Sequence, residues 1–249
     1  MSERRPRSPA DVNARACYGA GVGALPEGIV FDLETAHGRC VGVALPGQGQ
    51  PVSDAAEARL VADERAFAST LGDARRATWV GGRVALREAL ARIGAEPDTA
   101  ILANDRGAPV LADGIAGSVS HKNTIAVALV ARETTARLGV DVELDVARRI
   151  EVARHVLTDE EAAAVHALPE ADRVRALLVR FSAKESIYKA VDRFVRRYVS
   201  FKEAEVWPSD DGGAHVVLRL RPEEGCFDVD VRWWQDGALL LTSARIDRR

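Results

Sequence analysis

A chain of 249 residues with 47% hydrophobic side chains can form one large domain, or two of about 100 to 150 residues, each with a core of its own. A formal net charge of −3 argues against general nucleic-acid binding, although basic residues cluster locally and can meet a small polyanion. Three cysteines, Cys17, Cys40 and Cys226, are too few and too far apart for a disulfide framework or a zinc knuckle, so the expected compartment is the cytoplasm.

The opening MSERRPRSPADVNARA is rich in arginine and lacks the apolar run of a signal peptide; residues 1–15 are expected to be a flexible tail. No later stretch approaches the roughly 18 apolar residues of a membrane span, so a membrane is not an expected partner. Residues 46–58, PGQGQPVSDAAEA, are predicted as the longest loop. Trp79, Leu86, Leu90 and Ile93 recur at helical spacing between Arg76 and Ile93, and Arg76, Arg83 and Arg87 line a second, basic stripe. No acidic residue lies four positions from Arg76 or Arg83, so this stripe is expected to seek an anion elsewhere. DRGAP, 105–109, sets Arg106 on a tight turn shaped by Gly107 and Pro109.

GSVSHKN, 117–123, leads into the apolar run TIAVALVA, 124–131. After RETT comes RLGVDVELD, 137–145, whose period of two separates Leu138, Val140, Val142 and Leu144 from Gly139, Asp141, Glu143 and Asp145. Thr158 and Glu161 in LTDEEAAAVHAL have the form of a capping box, and RFSAKESIYKA, 180–190, is the next helix. FKEAEVW, AHVVLRLR, FDVDVRWW and ALLLTSARI read as strands, with Asp236-Gly237 as a hairpin turn. The pattern is α+β, divided near RETT into an N-terminal half, 16–134, and a C-terminal half, 135–249.

Asp141 and Glu143 put two carboxylates on one strand face, the oxygen environment that Mg²⁺ prefers; a half-exposed strand without any site shows the same alternation. Ser120 and His121 are neighbours in an extended segment and point to opposite sides, and no GxSxG elbow exists, which argues against a serine hydrolase. His121 beside Lys122 suits a phosphate better. Glu185 and Lys189, four apart, are by themselves an ordinary helix pair. Taken together, three carboxylates on two elements, arginines on a third, a His-Lys turn and the lysines Lys184 and Lys189 read as a magnesium and polyphosphate site.

In this order, GSVSHKN, GVDVELD and FSAKESIYKA resemble the 4′-phosphopantetheinyl transferases of the surfactin and enterobactin synthetase type. RRATWVGGRVALREAL, DRGAPVLADGIAGSVSHK and VRRYVSFKEAEV look like blocks of the bacterial siderophore subgroup, and the resemblance runs from about Arg75 to Val206. It implies a monomer of two similar α+β halves related by a pseudo-twofold, with coenzyme A in the cleft between them. The implied reaction is that of a holo-[acyl-carrier-protein] synthase: the phosphopantetheine arm of coenzyme A moves to a serine of an apo acyl or peptidyl carrier protein, releasing adenosine 3′,5′-bisphosphate. Carried over by position, Asp141, Glu143 and Glu185 match the metal-binding acids. His121 matches the contact to the 3′-phosphate, with Ser120 beside it; Arg75 and Arg83 match basic residues around the nucleotide. Lys184 and Lys189 match the motif's lysines, Lys184 holding a phosphate and Lys189 stabilising charge on the phosphoryl oxygens. Glu185 is the expected base, with Asp141 and Lys189 beside it in catalysis.

Ala108 stands where such proteins tend to carry lysine, so Arg106 is the expected substitute contact; Phe181 replaces a common tryptophan. The acids are expected to be exposed around the metal, so that removing Asp141 or Glu185 abolishes transfer without harm to the fold. Two other readings use the same residues: a Mg²⁺-dependent hydrolase of coenzyme A or a nucleotide pyrophosphate, and an inactive module that binds carrier domains through RFVRRYVSFK.

Overall fold

The computed structural model describes residues 28–144 and 153–249; the tail expected at 1–15, Cys17 and Asp145 lie outside them. The first half runs β1 (Ile29–Thr35), β2 (Gly38–Ala44), α1 (Asp54–Ala58), α2 (Ala62–Ser69), α3 (Asp73–Arg92), β3 (Ile115–Lys122) and β4 (Ile125–Arg132). The second runs β5 (Arg137–Leu144), α4 (Ala153–Val156), α5 (Asp159–His166), α6 (Glu170–Val195), β6 (Ala204–Pro208), β7 (Gly213–Leu218), β8 (Phe227–Asp236) and β9 (Leu239–Arg248). The strands form two antiparallel sheets, ordered β1-β2-β4-β3 and β5-β9-β8-β7-β6. The fold is α+β, and each half sets one long helix, α3 or α6, against one sheet. The halves share this plan but differ in strand number.

Local chemistry explains the elements that position the site. Thr158 caps α5 by accepting from the Glu161 backbone N–H at 3.3 Å, while the Glu161 carboxylate returns to the Thr158 N–H at 2.8 Å. Asp236 pairs directly with Leu239, and Gly237 adopts φ +56° in the two-residue turn between β8 and β9. The long loop expected at 46–58 is shorter: Ser53 Oγ accepts from Ala56 N–H at 3.2 Å and starts α1 inside it. FKE of the expected strand FKEAEVW is a 3₁₀ turn, and β6 begins at Ala204.

The two sheets meet where β3 runs beside β5. Phe31, Leu129 and Val127 from one half and Leu138, Val140 and Leu241 from the other bury into one apolar layer, so the halves share core as well as surface. Gly139 lets α6 lie directly on β5, because a Cβ there would collide with the Ser186 carbonyl. The glycine of GVDVE therefore brings the KES helix down onto the strand that carries Asp141 and Glu143. Among the described residues no helix is long and apolar enough to cross a membrane.

Candidate active site

Asp141 lies at the centre of a network drawn from three elements. Its Oδ1 accepts from Ser120 Oγ of β3 and from Lys189 Nζ of α6, each at 2.8 Å, and its Oδ2 accepts from Ser182 Oγ of α6 at 2.8 Å. Lys189 Nζ also donates to Ser120 Oγ and to the Val140 carbonyl, both at 2.9 Å. Thr242 of β9 stands behind, 2.9 Å from Ser182 Oγ and 2.7 Å from Ser186 Oγ, so the Ser182 hydroxyl that holds Asp141 is itself held. Two residues along β5, Glu143 pairs with Lys122 Nζ at 2.8 Å.

Glu185 stands one turn before Lys189 on the same face of α6, half-buried at the edge of a cleft of about 620 Å³ between the halves. Its carboxyl is held above its ordinary pKa, first by burial and then by the charges of Asp141 and Glu143, against the opposing pull of Lys189 and Lys122. The three carboxylates are thus within electrostatic reach of one another. Among the described residues no three His, Cys, Asp or Glu side chains are gathered into a preformed metal site. Asp141 and Glu143 instead have lysine partners, and both are buried. They are not the exposed acids expected from the sequence, so their removal will cost stability.

The opposite wall is cationic. His121, at the end of β3, has its imidazole pushed down from its ordinary pKa by burial first, then by Arg75, Lys189 and Lys122, against Asp141. Arg75 is an exposed residue of the cleft wall. Arg83 is buried, its guanidinium 4.8 Å from the Trp79 ring centroid and its Nε 2.5 Å from the Ile101 carbonyl; burial brings its pKa down to about 10, which leaves it cationic at neutral pH. An anion in this part of the cleft would relieve two crowded guanidinium cations, Arg75 and Arg83, and could take a hydrogen bond from the neutral imidazole.

Residues 63–131 match the profile of the 4′-phosphopantetheinyl transferase N-terminal domain, and residues 137–238 that of the 4′-phosphopantetheinyl transferase superfamily. Enterobactin synthase component D of Salmonella typhi is 31% identical over 179 residues, which cover 69% of this chain and 72% of that protein. The enterobactin synthase component D of Salmonella typhimurium is 33% identical over 186 residues, covering 71% and 75%. The chain belongs to the 4′-phosphopantetheinyl transferase superfamily. It is an enzyme that transfers the phosphopantetheine arm of coenzyme A to carrier proteins. The 4′-phosphopantetheinyl transferase Npt of Nocardia iowensis is 33% identical over 61% of this chain and 68% of that one. The holo-[acyl-carrier-protein] synthase structure of Thermotoga maritima superposes with a TM-score of 0.38 at 20% identity, over 45% of this chain and 63% of that one.

Of the transferase residues singled out in the sequence, Glu185, Lys189, His121, Arg75 and Arg83 line this cleft, while Asp141 and Glu143 lie buried behind it and reach it through their charge coupling to Glu185. Ser120 does so through Asp141 and Lys189 rather than from the cleft wall. Lys184 does not. Its Nζ points to the other flank of α6, 2.5 Å from Glu161 Oε2 and 2.7 Å from the Val156 carbonyl, with its side chain 1% exposed. The phosphate contact expected of Lys184 is therefore replaced by a buried ion pair. Arg76 and Arg87 find their anions elsewhere in the chain, as expected, but these are protein carboxylates and not a phosphate: Glu57 of α1 at 2.5 Å and the buried Glu64 of α2 at 2.8 Å. Arg106 lines the cleft, but its fork is closed on Asp192 of α6. Sequence reasoning missed Ser182 and Asp192; the only local signal is that Ser182 precedes Glu185, and Asp192 follows Lys189, by three residues on the helix.

Proposed function

We propose that coenzyme A lies along the cleft with its 3′-phosphate against His121, Arg75 and Arg83 and its pyrophosphate toward Lys189 and the three carboxylates. Glu185 is the base for the carrier serine. Its raised pKa supports this role, because a carboxylate held in a partly dehydrated site is a stronger proton acceptor than one in water. The serine Oγ–H gives its proton to Glu185 as its oxygen bonds to the phosphorus that carries the pantetheine arm. The bond from that phosphorus to the bridging oxygen breaks, and adenosine 3′,5′-bisphosphate leaves.

Asp141, Glu143 and Glu185 are the hard oxygen donors that Mg²⁺ takes, and their mutual electrostatic coupling fits such an ion. Bound there, Mg²⁺ would supply positive charge against the pyrophosphate. Lys189 serves the phosphoryl oxygens; since its Nζ donates to Ser120, Val140 and Asp141 in the free enzyme, it must exchange one of those bonds to do so. Ser182 and Ser120 orient Asp141. The two halves, 16–134 and 135–249, act in the cytoplasm as one monomer; that a single chain suffices is supported by a cleft whose walls come from both halves.

The observation that carries this reading is Glu185 on the cleft wall, coupled to Asp141, Glu143 and Lys189. Its test is intact-mass spectrometry of apo acyl and peptidyl carrier proteins incubated with the protein, coenzyme A and Mg²⁺, beside an EDTA control. A metal-dependent gain of one phosphopantetheine arm is expected. Consumption of coenzyme A without any gain would support the hydrolase, and neither gain nor consumption the binding module.

A further inference from the structure

Arg106 and Asp192 join the two halves across the cleft. Arg106 stands on a turn stapled by Asn104, whose Oδ1 accepts from the backbone N–H of Arg106 at 2.9 Å and of Ala108 at 3.0 Å. Gly107 supplies the positive φ of +84° that this turn requires. The arginine therefore projects from a stiff base. Its Nε lies 2.9 and 2.7 Å from the two carboxylate oxygens of Asp192, and its Nη2 donates to Asp192 as well. Asp192 is only 7% exposed, although Arg106 itself is exposed; what distinguishes the pair from a loose surface contact is the fork geometry on a buried carboxylate. Two further contacts hold the same turn: Arg196 Nη2 to Asp105 Oδ2 at 2.8 Å, and Arg193 Nη1 to the Pro109 carbonyl at 3.3 Å.

On α6, Glu185, Lys189 and Asp192 follow at spacings of four and three, so they form one stripe, and Arg196 stands just beyond it as the left-handed C-cap of the helix. The first half of that stripe faces the reaction site, and the second grips the 104–109 turn of the other half of the molecule. Lys189 is separately tied by its three bonds to β3 and β5. Losing the grip on the turn would loosen the cleft wall without freeing the reacting end of the helix.

We propose that Asp192 is a positioning residue of this transferase: by closing on Arg106 it latches the 104–109 turn to α6 and sets the wall against which coenzyme A binds. Arg106 acts as the other side of that latch and is not a phosphate ligand. The inference rests on the site reading given above.

The latch and a phosphate contact by Arg106 predict opposite results. With apo carrier protein and coenzyme A, Asp192→Asn and Arg106→Asp should each raise the coenzyme A KM about tenfold, or 1.4 kcal/mol, with kcat within about threefold of the parent. The charge-swapped double variant, Arg106→Asp with Asp192→Arg, should bring the KM back to within about threefold of the parent. Arg106→Lys, which keeps the charge and loses the fork, should give an intermediate KM and guards against a reversal that does not fold. A KM that falls or stays constant in Asp192→Asn, or a folded double variant as poor as Arg106→Asp, overturns the latch. A parent protein that transfers nothing would instead overturn the function reading; calorimetric binding of coenzyme A to Asp192→Asn would then test the latch alone, and affinity equal to the parent's would overturn it.

Discussion

Lys184 and Glu185 are consecutive residues that serve opposite sides of one helix: Lys184 Nζ is 2.5 Å from the buried carboxylate of Glu161, while Glu185 opens onto the cleft. One residue turns an α-helix by about 100°, so a charged pair side by side in sequence points in different directions, and here the two meet different partners. Glu185 and Lys189, four apart, can.

Lys184→Met is accordingly a stability variant. Removing one partner of a buried pair leaves Glu161 uncompensated, although the backbone N–H groups of Thr158 and Val206 still reach it. A loss of about 3 kcal/mol is expected in urea unfolding, at the low end for broken buried pairs. Coenzyme A affinity of the folded protein should stay within about twofold. A large loss of affinity with unchanged stability would restore Lys184 to the cleft.

Glu185→Gln should abolish detectable transfer and leave the protein at least as stable at neutral pH. The sign follows from its raised pKa: the folded state holds this proton more tightly than the unfolded chain, so ionising Glu185 costs stability as pH rises through the folded value. Thermal unfolding and the mass assay read the two effects separately. Residual transfer near the parental rate would remove Glu185 as base.

Asp141→Ala differs, because its carboxylate is buried and satisfied by Ser120, Ser182 and Lys189. Its removal strands an ammonium and two hydroxyls, and both transfer and about 2 kcal/mol of stability should be lost. Ser182→Ala should cost about 1 kcal/mol and a smaller share of kcat, with coenzyme A KM little changed. An Asp141→Ala protein as stable as the parent would return this acid to an exposed, purely metal-binding role.

The pH profile of kcat should fall on the acid side as Glu185 takes up its proton, at a pH raised by the burial of its carboxyl. Lys122 is one of the cations that pull this pKa down, and it also neutralises Glu143. In Lys122→Met the acid limb should therefore move to higher pH. A shift to lower pH, or none, would contradict the electrostatic coupling described here.

His121→Ala should weaken coenzyme A binding about tenfold, and 3′-dephospho-coenzyme A by far less, since the imidazole stands near Arg75 on the wall proposed for the 3′-phosphate and can donate a hydrogen bond to it. Calorimetry with both ligands measures the difference. Equal losses for the two would move the 3′-phosphate elsewhere.

What the sequence by itself determined was local: the alternation that places Asp141 and Glu143 on one face of β5, the Thr158 and Glu161 capping box, the Asp236-Gly237 turn, and the shared helix face of Glu185 and Lys189. These depend on periods of two and 3.6 and on side chains that bond a few residues away, all of which are written in spacing. The tertiary structure alone decided which partner arrives at each face. Arg87 meets Glu64 from 23 residues away, Lys184 meets Glu161 from the same separation, Lys189 reaches Asp141 across 48 residues and Arg106 reaches Asp192 across 86. Periodicity states that a charge lies on a given side of a helix or strand. Whether that side turns to a ligand or to a buried carboxylate is set by how the two sheets pack, where Gly139 and the shared apolar layer bring α6, β3 and β5 together.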